Sequence, residues 1–313
     1  MRYLGKRLAL LAFTLWLISL ATFAVTNVLP GDVATMIMGT QSNPEALAGA
    51  RELPGLDDPL WVQYWRWFSG MVSGDWGVSL RFKEPIGPLI GQKITASAMI
   101  VALSLALALA LAIPLGVWSA IHRDRWQDAA GSGLALAGIS LPDFFWGIVL
   151  ILVFARGLGW LPSSGYASPA EDFGAALTHA ALPAVALGAS LMAHLTRMTR
   201  STMLEVMGQD FIRVCRAKGL AEGTVILRHA LRNAIAPVIT VAGLQLGYLF
   251  GSIIVIETLF NFTGMGWLTY QALLNRDMPL LQACVFVIAA VVMLTNLVVD
   301  LIYAALDPRV ELA

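Results

Sequence analysis

Asp210-Phe-Ile-Arg-Val-Cys-Arg-Ala-Lys-Gly-Leu220, followed by Arg228-His-Ala-Leu-Arg-Asn233 and Pro237, is a basic, helix-forming stretch set between long apolar segments. Arg197 and Arg200 precede it, and Arg213, Arg216, Lys218, Arg228 and Arg232 lie within it. Gln209 to Ala217 has helical spacing and Gly219 suits a helix stop. Glu222 to Ala234 then resumes helical spacing, with Val225, Leu227, Ala230 and Leu231 available for apolar contacts. Two short helices about a glycine make a knob that fits a groove on a soluble partner, where an apolar face gains burial and arginines meet an acidic rim. Charge alone equally suits a topology signal or a contact with anionic lipid.

Outward from this stretch the chain reads as an all-α membrane protein. Only 13% of its 313 residues are charged and 58% are hydrophobic, too little polar surface to cover a soluble core. Leu8 to Leu29 and Met99 to Ile121 hold no ionisable residue, and at about 1.5 Å per helical residue each crosses a hydrocarbon layer about 30 Å thick. Six transmembrane helices are expected, at Leu8 to Leu29, Thr95 to Ile121, Gly131 to Phe154, Ala181 to Met198, Pro237 to Ile256 and Leu280 to Leu306. Arg2, Lys6 and Arg7 before the first span resemble a secretory signal. Its apolar stretch exceeds the usual signal core of roughly 7 to 15 residues and no Ala-x-Ala site follows, so it is expected to stay as an anchor.

Basic residues near span ends resist translocation. With the N-terminus inside, the inner set is Arg2, Lys6, Arg7, Arg123, Arg125, the seven named above and Arg309, against Arg51, Arg66, Arg81, Lys83, Lys93, Arg156 and Arg276 outside. Thirteen against seven places both termini in the cytoplasm. The net charge of zero conceals this polarity and argues against nucleic acid as a partner. Cys215 in the inner loop and Cys284 in the last span lie at different depths, which excludes a bridge between them.

The expected organisation is an anchor over 1–29, an extracytoplasmic loop region over 30–94, and a five-helix core over 95–306 that includes the cytoplasmic loop 199–236, with a tail over 307–313. In the loop region Trp61, Tyr64, Trp65, Trp67 and Phe68 alternate with Gln63 and Arg66, as in an amphipathic segment lying at lipid headgroups. Gly74-Asp-Trp-Gly-Val-Ser79 and Lys83-Glu-Pro85 favour tight turns.

The wording of Asp210 to Pro237 resembles the cytoplasmic coupling loop of ABC-importer permeases, in the dipeptide/oligopeptide/nickel branch. The broader importer consensus has Glu-Ala-Ala before the fixed glycine, where this chain has Arg213, Val214 and Cys215, and its Gly219-to-Pro237 interval is longer. Peptide and nickel permeases share both departures. Leu29-Pro-Gly-Asp32, the Gly74 to Pro85 turns, Ile256-Glu-Thr-Leu-Phe260 with Thr263-Gly-Met-Gly266, and Leu306-Asp-Pro-Arg309 resemble the same branch.

The resemblance implies a type I importer permease in a bacterial inner membrane. It implies a second, homologous permease subunit as a heterodimer partner, two ATP-binding subunits below that carry the ATP and Mg, and an extracytoplasmic solute-binding protein above. Asp210, Arg213, Arg216, Ala217, Lys218, Gly219, Leu220, Arg228, His229, Arg232, Asn233 and Pro237 would couple to the ATPases. Di- or oligopeptides are the branch's default cargo, with nickel, glutathione or another small solute as alternatives.

Gly243, Gly247 and Gly251 recur every four residues on the fifth span, where missing side chains let another helix approach, from this chain or a partner. Gln245, Tyr248 and Ser252 on the same span suit either a pore lining or interhelical hydrogen bonds. Glu257, near the outer membrane boundary, suits a gate or a fold-fixing hydrogen bond. Asp300 suits pairing with a neighbouring base or a backbone cap.

No cofactor or metal is expected on this chain. The only Gly-Lys is Gly5-Lys6, followed by Arg7, so a phosphate-cradling Walker loop is absent. Gly188-Ala-Ser190 is followed by Leu191 where a serine-protease turn needs glycine, and the four histidines are scattered. An ion-coupled secondary transporter or channel is the rival from another class. Such carriers keep ionisable groups near the bilayer centre and often contain inverted repeats, and neither is expected here.

Overall fold

The computed structural model describes residues 2–28 and 58–306. Leu29-Pro-Gly-Asp32, the excursion as far as residue 57 and the tail 307–313 therefore lie outside the described residues. Among the described residues helices dominate and no strand forms; Val78 and Pro85 make one isolated bridge. Five helices are long and apolar enough to cross a membrane, and a bent pair raises the number to six.

The helices are α1 (Arg2–Val28), α2 (Leu60–Ser73), α3 (Ile86–Ile121), α4 (Trp126–Ser140), α5 (Asp143–Leu150), α6 (Phe173–Met207), α7 (Asp210–Ala217), α8 (Leu231–Leu259), α9 (Met265–Leu274) and α10 (Met278–Leu306). Two π-helical turns interrupt the α geometry, Ile151–Gly157 after α5 and Val225–Ala230 before α8.

The expected third span, Gly131 to Phe154, is not one helix. α4 and the α5 segment meet at a bend of 106° across Leu141 and Pro142. Proline disfavours helical geometry in the residue before it, and Leu141 is accordingly extended, at ψ 137°. Pro142, also extended, then opens α5. Pro237 does not open the fifth span, which runs through it: the helical path is continuous from Glu222 to Leu259.

The chain separates into two compact units. The first comprises 1–96 and 263–293, the second 97–262 and 294–312. In the first, Ser19 of α1 shares a 2.9 Å hydrogen bond with Tyr64 of α2, while Phe23 packs against Tyr64 and Trp67. The aromatic segment is thus a helix with one face on α1, and Leu60, Trp61, Trp65 and Val72 stay exposed, as an interfacial helix requires. Met71, Ile86, Leu89, Ile90, Met265, Leu268, Leu280 and Cys284 form its core. Buried Asp277 organises the turn after Gly74: its carboxylate accepts from Ser79 Oγ (2.5 Å), from the Arg81 amide (3.0 Å) and from the Leu280 amide that opens α10 (3.2 Å).

In the second unit α6 is central, packed by α4, α5 and α8. Lipid is as apolar as leucine, so close backbone approach supplies the packing energy. A Cβ on Gly116 of α3 would lie 2.5 Å from the Cβ of Thr199. One on Gly138 of α4 would lie 2.7 Å from the Cβ of Ala193, and one on Gly188 of α6 would meet the Ser104 carbonyl at 3.1 Å. Glycine at these positions sets how near the helices stand.

Candidate functional site: a helix-turn knob and a polar break in the span bundle

α7 ends in a Schellman turn. The Gly219 amide donates to the Arg216 carbonyl (2.9 Å) and the Leu220 amide to that of Cys215 (3.4 Å), with Gly219 at φ +77°. That conformation lies in the left-handed region, where a side chain is strained. Arg216 spans the turn to Glu222 with two hydrogen bonds, 2.6 and 3.1 Å. The pair is exposed and adds little stability, but it fixes the angle between the two arms.

The knob is anchored from within. Ile212, Val225, Ala230 and Ala234 join Val117, Ala120, Met203 and Val206 in a buried cluster at the ends of α3 and α6. Of the residues that sequence spacing makes available for apolar contacts, Val225 and Ala230 hold the knob to its own spans, Leu231 packs beside them, and Leu227 stays exposed. The second arm is also no separate short helix, since it continues into α8.

What faces outward is mixed. Val214 is 52% exposed and Leu227 64%, beside exposed Phe211 and Leu220. Asp210, Arg213, Ala217, Lys218, Arg228, Arg232, Asn233 and Pro237 are exposed around them, with His229 half-buried. Arg213 bonds Asp210 (3.3 Å), an exposed pair one helical turn apart. The surface presents apolar side chains among cations.

Arg200 does not belong to that face. Its guanidinium makes two bonds to the buried carboxylate of Asp128, at 2.5 and 2.6 Å. Asp128 also accepts from Ser119 (2.5 Å) and from the Asp124 amide (3.2 Å). Three elements meet there, whereas sequence alone ranks Arg200 with the free cations.

Along α8 the three spaced glycines differ. Gly243 is pressed against Val299 of α10, where a Cβ would come within 2.6 Å. Gly247 is half-buried, and Gly251 faces open space, so that a Cβ there would meet nothing within 4 Å. Gln245 is half-buried and Tyr248 is 53% exposed. Glu257 is fully buried and accepts a hydrogen bond from Ser97 of α3. Asp300 is half-buried on α10.

Ser252 leads to a residue that sequence reasoning misses. Asp143, at the break between α4 and α5, is buried and accepts a hydrogen bond from Ser190 of α6, with Ser252 of α8 beside it. Asp143 falls near the middle of the expected span Gly131 to Phe154, so the expectation of no ionisable group near a span centre is corrected. A carboxylate within a span costs about 2.5 to 3.5 kcal/mol at its centre, and Leu141-Pro142-Asp143 is the signal in the sequence for both the break and the cost. Ser190 donates to this carboxylate and to the Gly138 carbonyl (3.5 Å). Among the described residues no group of three or more His, Cys, Asp or Glu could hold a metal ion.

Residues 112–312 match the family model described as the inner membrane component of binding-protein-dependent transport systems, and residues 1–111 match the model of its N-terminal part. The chain belongs to this permease family. It is 37% identical over 311 residues to the glutathione transport system permease protein GsiC of Salmonella paratyphi A, covering 99% of each chain. GsiC of Escherichia coli strain K12 matches at the same identity and coverage. In fold, this permease resembles a chain of the MetNI methionine ABC transporter, solved in inward-facing conformations. The TM-score is 0.60 at 18% identity, covering 72% of this chain and 99% of that one. The permease is thus a multi-pass inner-membrane transport subunit of the type I importer fold and not an enzyme.

Proposed function

We propose that this permease forms half of a translocation pathway with a second, similar subunit as a heterodimer, with two ATP-binding subunits docked on the Asp210 to Asn233 knob. An extracytoplasmic solute-binding protein would deliver cargo from the other side, and both termini would lie in the cytoplasm. The observation that carries this reading is the knob itself: an ordered turn with exposed Val214, Leu220 and Leu227 among cations, rooted in the bundle through Ile212 and Val225. A packed root lets force applied at the turn reach α8 without being lost in a flexible linker.

ATP-driven closure of the motor subunits displaces the knob, and α8, which is continuous with it, reorients. The buried Ser97–Glu257 bond at the far end of α8 then opens and closes as an outer gate, while Gln245, Tyr248 and Ser252 line the route. Gly251, open in the subunit, receives the second permease. The cargo class is small peptides bearing a free amine, with glutathione included on the strength of the GsiC likeness.

Gly219→Val tests the assignment, because a β-branched residue is strained at φ +77°. In the purified complex the variant inserts and assembles, yet ATP hydrolysis is no longer matched by uptake. Normal transport by that variant rejects the knob as the coupling element.

A further inference from the structure

Ser190, which donates to Asp143, and Ser252, beside it, come from two different spans, so three spans converge on Asp143, which is 7% exposed. Among the described residues no Lys, Arg or His forms an ion pair with it. The Ser190 hydroxyl occupies one of its lone pairs but leaves its charge unbalanced, and an ionisable group inside a span ordinarily marks a path or a partner.

The backbone beside it points the same way. Leu141 and Pro142 are extended, so the helix is interrupted next to the carboxylate, and Pro142 is exposed. Interrupted backbone at membrane depth persists where protein buries it or where it borders a water-filled cavity. Ser252 is also, by its place on α8, a candidate for lining the route.

We propose that Asp143, with Ser190 and Ser252, is a specificity-determining site on the translocation route that receives the ammonium group of an amine-bearing cargo. The stoichiometry fits. An ammonium has three N–H donors, and the cluster offers one carboxylate and two hydroxyl oxygens, each hydroxyl able to turn from donor to acceptor. A divalent metal is a poorer match, since hard cations take six or more oxygen ligands and transition metals favour imidazole or thiolate, none of which the cluster supplies. In the empty state Ser190 donates to the carboxylate; when cargo arrives both serines turn their lone pairs toward its N–H groups, and Asp143 supplies the countercharge. This inference rests on the reading of the chain as an importer permease for amine-bearing solutes.

The test uses the complete transporter in proteoliposomes, supplied with binding protein preloaded with either of two cargoes: one tripeptide with a free N-terminus, and the same tripeptide N-acetylated. Preloading removes selection by the binding protein, so the ratio of the two ATP-dependent uptake rates reports selection by the membrane subunits. The wild type is expected to favour the free amine, and Asp143→Asn to reduce that ratio about tenfold or more, the order for losing a charged hydrogen-bond partner. Asp143→Glu, which restores the charge, regains part of the ratio. If Asp143→Asn fails to assemble, Ser252→Ala removes one acceptor and is expected to lower the ratio about threefold. A ratio unchanged in these variants, or equal to one in the wild type, overturns the site. Absence of ATP- and binding-protein-dependent uptake of both peptides by the wild type overturns the importer cargo reading instead, and the site's ligand with it.

Discussion

At the scale of single residues, two carboxylates inside the second unit do different work. Asp128 is matched by Arg200 through two short bonds and by Ser119 through a third. Asp128→Asn keeps the shape and removes the charge. It is expected to cost about 1 to 3 kcal/mol, toward the lower end because the Arg200 side chain is 30% exposed and partly hydrated. Thermal unfolding of the subunit in detergent reads this directly; an unshifted midpoint would mean that the pair is idle. Asp143 has no such cation among the described residues, which is why it reads as a binding group and Asp128 as a fastener. Sequence could not separate these roles. Arg200 stands among the seven basic residues between 197 and 232, and only the fold of α4 against α6 brings Asp128 to it.

At the scale of elements, what was legible was what hydropathy and local signals encode. The turn at Gly219 was legible because a glycine follows a helical run with cations in its last turn, and its positive φ agrees. The apolar spans were legible because their length alone answers to bilayer thickness. The bend of 106° was not, since a hydropathy window averages over Leu141 and Pro142 and carries no angle. Which of Val225, Leu227, Ala230 and Leu231 face inward was not legible, because helical spacing offers all four for apolar contact and only the packing against α3 and α6 selects among them. Helix contacts were legible only in part, because the repeating glycines of α8 stand out while isolated Gly116 and Gly138 make close approaches that no repeat announces. Gly116→Ala should therefore cost about 1 to 3 kcal/mol through overpacking against Thr199. Gly251→Ala, with open space around it, should leave the isolated subunit as stable or raise its stability by up to about 1 kcal/mol. Comparing the two melting temperatures checks the pair, and equal losses would contradict the packing described for α3 and α6.

At the scale of the whole molecule, the family match spans both halves of the chain, and orientation and drive are what experiment must fix. Leu227 and Trp160 are both exposed, on the knob and on the segment between α5 and α6. In a background with Cys215 and Cys284 replaced, Leu227→Cys should react with a membrane-impermeant maleimide only from the cytoplasmic side and Trp160→Cys only from the outer side. Labelling with the sides exchanged would invert the topology and remove the knob from reach of any ATPase. The central claim is that this permease moves cargo with energy delivered through the knob by separate ATP-binding subunits. Uptake into proteoliposomes holding the full assembly measures it most directly. Accumulation is expected to require both ATP and loaded binding protein and to disappear with Gly219→Val, whereas uphill uptake by this subunit alone, driven by an ion gradient, would overturn that reading.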